Sequence, residues 1–219
     1  MSTTLWLSLG RSTAIAVTLL ALSGMTHAAD IPVSRCVSQK LAAASTACYN
    51  AFRVWIYADP TADDPISDAA ITKAGKTLAT KWSRAERFAR GDDCAQSVPT
   101  SDAVQSDITS AASDIASSIK TGIDPNNNAD VKCRSALVTV AGKLCDGVLA
   151  ADSLAAMGVP QQKVDARRSG LMDIFNTHWT NVTARVCVAG ATPDADTIAA
   201  AIIALENAVV TDTLTPAAP

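Results

Sequence analysis

Cysteine is the residue type in this chain best suited to covalent chemistry, and the six cysteines fall in a pattern: Cys36, Cys48, Cys94, Cys133, Cys145 and Cys187. An even count in an exported chain reads as three disulfides. The spacings also repeat. Cys133 follows Cys36 by 97 residues, Cys145 follows Cys48 by 97, and Trp179 follows Trp82 by 97. The last pair, Cys94 and Cys187, is 93 apart, so the second copy is shorter after its tryptophan. Cys36 and Cys48 lie twelve residues apart on one predicted helix, about 18 Å along its axis. A disulfide spans only about 4.4–6.8 Å between Cα atoms, so these two do not bond each other. In a hairpin turning near Ala62, Cys36 and Cys94 both reach the open end, which pairs them; repetition then pairs Cys133 with Cys187. Cys48 and Cys145 remain, one in mid-helix in each copy. Equivalent residues of two copies touch only near a pseudo-twofold axis, so Cys48–Cys145 is expected to join the copies. The alternative is two free, buried thiols acting as small hydrophobes.

Other chemistry is sparse. His178 is the sole histidine after residue 28, which leaves multi-histidine metal sites unsupported. Beside Trp179 on a mostly apolar helix face, it reads as a core or boundary histidine rather than a general base. There is no Cys-x-x-Cys-His, no Gly-rich phosphate loop and no Gly-x-Ser-x-Gly elbow, and no cofactor is implied. Carboxylates are scattered over loops and solvated faces without a recognisable pair. In Asp124-Pro125-Asn126-Asn127-Asn128-Ala129-Asp130, oxygen-bearing residues alternate as at the start of a calcium loop. Ala129 stands where that loop needs Gly, however, and Ser135 where it needs Glu, so the segment reads as a linker ending in Asp130 as a helix N-cap. One concentrated charge feature remains: Lys73, Lys76, Lys81, Arg84, Arg87 and Arg90 on one predicted helix, with Glu86 the only acid among them. This basic face could meet an acidic partner, an anionic polymer or lipid headgroups; the plainer reading is a solvated face. Arg90-Gly91-Asp92 reads as a helix end, and the sequon Asn181-Val182-Thr183 falls within a predicted helix.

The elements that must position these residues are helices. Alanine is abundant, aromatics are few, and β-branched runs are missing. In the first copy Val37, Leu41, Ala44, Cys48, Phe52 and Trp55 recur every three or four residues. Asp59 to Pro65 is loop chemistry. Ile71, Ala74, Leu78, Trp82, Ala85 and Ala89 form a second stripe, ended by Gly91. Thr100 or Ser101 caps a third helix through Val104, Ile108, Ala111, Ile115 and Ile119, closed by Gly122. The second copy follows: Leu137 to Ala151, ending near Gly158; a helix opened by Pro160 whose buried face includes Leu171, Phe175, His178 and Val182; and a last helix with Thr192 as N-cap and Pro193 at its first position.

The N-terminus sets the expected compartment. Arg11 is the only charge before Asp30, Thr13 to Met25 is apolar, and Thr26-His27-Ala28 suits signal peptidase, so residues 1–28 read as a secretory signal peptide. No other segment reads as long and apolar enough to span a bilayer, so no transmembrane anchor is expected after cleavage. The remaining chain carries 17 Lys and Arg against 21 Asp and Glu. Such a balance gives no general pull toward nucleic acid or an anionic membrane. The predicted organisation is all-α: module 1 over 29–122, a linker at 123–129, module 2 over 130–212 and a flexible tail at 213–219, stapled into one helical bundle.

Each copy resembles uncharacterised exported helical proteins of bacteria in which cysteine-bearing hairpins repeat in tandem. The segment from Lys76 to Cys94, with Trp82 and Phe88, and the following Thr100-Ser101-Asp102 carry the likeness. This chain lacks the second cysteine those proteins have on their second helix. The resemblance brings no activity and no functional residues. The expected role is a secreted or periplasmic, non-enzymatic interaction or structural module with an unknown protein partner. A carrier of a small apolar ligand and an inhibitor of a secreted enzyme are the alternatives.

Overall fold

The computed structural model describes residues 31–57, 68–89, 100–121, 124, 126–187 and 192–214. Among them are six helices and no strand: α1 (Arg35–Tyr57), α2 (Asp68–Phe88), α3 (Ser101–Lys120), α4 (Asn128–Ala156), α5 (Gln161–Arg185) and α6 (Ala195–Leu214). Residues 1–28, read above as a signal peptide, the predicted loop at 59–65, Arg90 to Cys94 and Gly122 lie outside the described residues.

Local chemistry sets the helix ends. The Ser34 hydroxyl accepts the Val37 N–H at 3.1 Å, and the Ser34 N–H donates to the Ala156 carbonyl at 2.8 Å. The start of α1 is thereby tied to the end of α4. Gly158, the expected terminator of α4, takes φ +81, the left-handed conformation glycine adopts without penalty. Two assigned caps and one helix end move. The N-cap of α4 is Asn127, whose side chain accepts the Ala129 N–H, and Asp130 lies inside the first turn. At α6 the cap role falls to Asp194, which accepts the Thr197 N–H at 3.2 Å, because the helix begins two residues after Pro193. At the far end Thr213 is fully buried and donates to the Val209 carbonyl, so residues 213 and 214 belong to α6 rather than to a tail.

The centre of the molecule is α1 packed along α4. Ser38 faces Ser153 at 3.1 Å, Ser45 donates to Asp146 at 2.5 Å, and Arg134 donates to the Trp55 carbonyl at 3.2 Å. Partner numbers fall as α1 numbers rise, so the helices are antiparallel. Their crossing is centred where Cys48 meets Cys145. Gly142 allows the approach: a Cβ there would lie 2.8 Å from the Phe52 Cβ. α2 flanks α1 and α5 flanks α4, while α3 and α6 contact each other and both central helices. The result is two layers, α2–α1–α4–α5 and α3–α6. One contiguous core draws on all six helices, including Leu41, Phe52, Trp82, Ile108, Leu137, Trp179 and Ile202. Full burial of each such side chain contributes on the order of 1.5–3 kcal/mol.

One expectation about the last helix is revised. By length and composition α6 could cross a bilayer, with a mean hydropathy of 1.4. Here 44% of that stretch is buried, with Ile198, Ile202, Leu205 and Val209 packed into the shared core.

Candidate functional site

The most unusual chemistry lies inside the second half. Asp152 on α4 and Glu206 on α6 are both fully buried, and Arg168 reaches in from α5 to pair with each of them. One guanidinium balances one carboxylate charge. Burial raises the Glu206 carboxyl first, the neighbouring Asp152 raises it further, and Arg168 offsets only part, leaving it at about 9. Glu206 therefore keeps a proton at neutral pH. The group joins α4, α5 and α6 and has no exposure to a substrate, so its chemistry is proton retention and structural tethering. Scattered carboxylates were expected; here two converge. The residues 97 positions earlier, Trp55 and Ile71, instead line an apolar cleft with Ala51, Val54 and Ala74. Its free space is about 10 Å³, room for a single water.

A second buried charge shapes the surface. Lys40 is fully buried on α1, 2.8 Å from Glu86 and 4.7 Å from the centre of the Trp82 ring. Glu86 is thus turned toward α1, and the exposed stripe of α2 is left to cations. Lys73, Lys76, Lys81, Arg84 and Arg87 are all exposed; Arg90, the sixth predicted member, lies outside the described residues.

Two grooves open on the side of the α2–α1–α4–α5 layer that α3 and α6 do not cover. Arg35, Ala42, Thr46, Lys81, Arg84 and Phe88 line the groove between α1 and α2. Val140, Lys143, Leu171, Ile174, Phe175 and His178 line that between α4 and α5. Thr46 and Lys81 of the first groove lie 97 residues before Lys143 and His178 of the second. His178 is exposed on its rim, a correction to the core or boundary position expected. The buried side of α5 is carried by Val164, Phe175 and Trp179, and His178 falls just outside that arc.

Of the cysteines, Cys48 joins Cys145 and Cys133 joins Cys187, with Cα atoms 6.1 Å and 4.8 Å apart. Cys36 is also disulfide-bonded; Cys94, its expected partner, lies outside the described residues. Among the described residues no group of three or more metal-ligating side chains converges. In the linker, Asp124 accepts the Asn126 N–H and Asp130 accepts the Asp124 N–H, so these oxygens close local turns. No family model, curated protein or solved structure matches the chain.

Charge is divided between the layers. Apart from the buried, protonated Glu206, α3 and α6 carry five acids and one lysine. The other four helices carry fifteen Lys and Arg against seven acids. Sequence reasoning, averaging over the chain, missed this division. The signal was present in the near-absence of cations from the third and sixth helices.

Proposed function

We propose that this chain is an exported, non-enzymatic helical interaction module of the cell envelope or extracellular space. On this reading it is built from two related three-helix units and works through the grooved basic face. The observation that carries it is the crossing of α1 and α4 at a disulfide between residues 97 apart, the same offset that relates the two grooves. Such a crossing gives a rigid, doubly flanked platform with one layer of helices open on its outer side. The disulfides favour an oxidising compartment, in keeping with a cleaved leader at residues 1–28. A carrier of small apolar ligands has less support, because the enclosed cleft at Trp55 holds only about 10 Å³, while the larger spaces, about 370 Å³ between α1 and α2 and about 190 Å³ between α4 and α5, are open surface grooves rather than enclosed ligand cavities.

The test is site-specific photocross-linking in the producing cell. A cross-linker at Thr46, in the α1/α2 groove, is expected to capture an envelope component. The same group at Ser110, on the exposed side of α3, is expected to capture none. Capture from Ser110 alone, or from neither site, refutes the reading, as does an N-terminus that retains residues 1–28 in the exported fraction.

A further inference from the structure

We propose that the uncovered face of the α2–α1–α4–α5 layer docks on an anionic lipid surface; this rests on the reading of that face as the working surface. Three observations converge. The first is charge: Arg35, Lys81 and Arg84 rim one groove and Lys143 the other, all exposed, and Lys73 and Lys76 extend the cationic stripe along the outer flank of α2. The acids gather on the opposite layer, so a chain of net negative charge still presents a positive side. That polarity orients the molecule toward an anionic plane.

The second observation is the placement of exposed apolar groups. Phe88 is 63% exposed and Ile174 is 56% exposed. One lines each groove, so both stand on the same face, interleaved with cations. A partner protein would be expected to take its anchors into a concave pocket. These two are each more than half exposed in open grooves on opposite flanks, an arrangement suited to shallow contact with headgroups and upper acyl chains.

The third is shape. Four helices side by side, each about 8–10 Å from the next, make a broad surface marked by two open grooves. The apolar stripe of α2, through Ala74, Leu78, Trp82 and Ala85, is buried in the fold. The helix therefore cannot roll into the membrane as a free amphipathic helix does. Docking is superficial and reversible, and strongest over α1 and α2, since α5 offsets its cations with the exposed Asp165 and Asp173.

The experiment is vesicle co-sedimentation of the exported protein with its disulfides intact. Vesicles of phosphatidylcholine alone are compared with vesicles containing about one-third phosphatidylglycerol, at low salt and at about 0.5 M salt. Binding to the anionic vesicles is expected to exceed that to neutral ones by at least about tenfold and to collapse in high salt. Lys81→Glu/Arg84→Glu is expected to weaken it by more than about tenfold and Phe88→Ser/Ile174→Ser by a few-fold. Asp114→Asn, on the other layer, is expected to leave it unchanged. All five positions are exposed, and circular dichroism verifies that each variant folds. Equal binding to both vesicle types, or indifference to Lys81→Glu/Arg84→Glu, overturns the proposal. So does soluble polyglutamate binding as tightly as the anionic vesicles, which would point to an acidic protein. Cross-linking from Thr46 to a protein, without vesicle binding, would leave the working face intact and remove only the lipid.

Discussion

Glu206 and Asp152 share the guanidinium of Arg168, and neither carboxyl is exposed to solvent. Two acids and one base cannot all be charged in that space without a large desolvation cost, so the group resolves by holding a proton on Glu206.

Stability should accordingly fall as pH rises. The Glu206 carboxyl sits at about 9 in the fold, against an ordinary value of 4.5. Below about 4.5 the folded and unfolded chains both hold this proton. Between about 4.5 and about 9 only the folded chain keeps it, so each step upward in pH favours unfolding; above about 9 this group adds no further slope. Glu206→Gln mimics the protonated acid and should flatten the curve, leaving the variant more stable than the parent near pH 9. Urea unfolding at about pH 5, 7 and 9 measures both. A parallel pair of curves would refute the assignment. Some slope should persist from Asp212, which burial and the neighbouring Asp107 also raise.

Removing Arg168 should be far worse than replacing the whole group. Arg168→Ala strands buried acidic charge and is expected to cost about 3–5 kcal/mol. The combination Asp152→Leu/Arg168→Met/Glu206→Met exchanges the polar group for apolar volume, as Trp55 and Ile71 do in the first half. It is expected to recover most of that loss by chemical denaturation. Additive losses across the three sites would contradict the picture.

Glycines on α4 and α5 should respond in opposite directions. At Gly142 a new Cβ would meet the Phe52 Cβ at 2.8 Å, close to the backbone of α1, whereas at Gly170 it would meet nothing within 4 Å. Gly142→Ala is expected to destabilise by about 1–3 kcal/mol, despite alanine's better helix propensity. Gly170→Ala should stabilise by about 0.5–1 kcal/mol. Thermal melts of the two variants provide the comparison.

The Cys48–Cys145 bridge encloses a sequence separation of 97. Chain-entropy reasoning puts loops of that size near 4–5 kcal/mol, with typical measured values of about 2–4. Cys48→Ala/Cys145→Ala is expected to lose about 2–4 kcal/mol in urea. Non-reducing peptide mapping of the parent should recover one fragment pair joining these residues. A fragment joining Cys36 to Cys48 would overturn the connectivity.

How much of this was legible depended on whether a residue's role was local. Cysteine spacing combined with helical rise rules out Cys36–Cys48 from the sequence alone, because that argument needs only one helix. The apolar stripe through Ile198, Ile202, Leu205 and Val209 likewise marked α6. Glu206 lies on that stripe, four residues after Ile202 and three before Val209, and a charged residue there was a signal. Its partners were not legible, since Asp152 and Arg168 arrive from other helices. Lys40 was hidden for the same reason: its neighbours Trp82 and Glu86 come from α2. His178 erred by a small rotation, because residues one step from the buried arc of a helix cannot be assigned from periodicity alone.

The joint at Cys48 and Cys145 has a consequence for how such a molecule assembles. On the reading of two related units, a bond between corresponding positions is self-complementary: each half presents the same thiol to its counterpart. Two separate units would have to find each other at a rate set by their abundance. On one chain, the segment from Tyr57 to Asn128 holds the counterpart close by, and the encounter becomes intramolecular. Pairing is then insensitive to dilution.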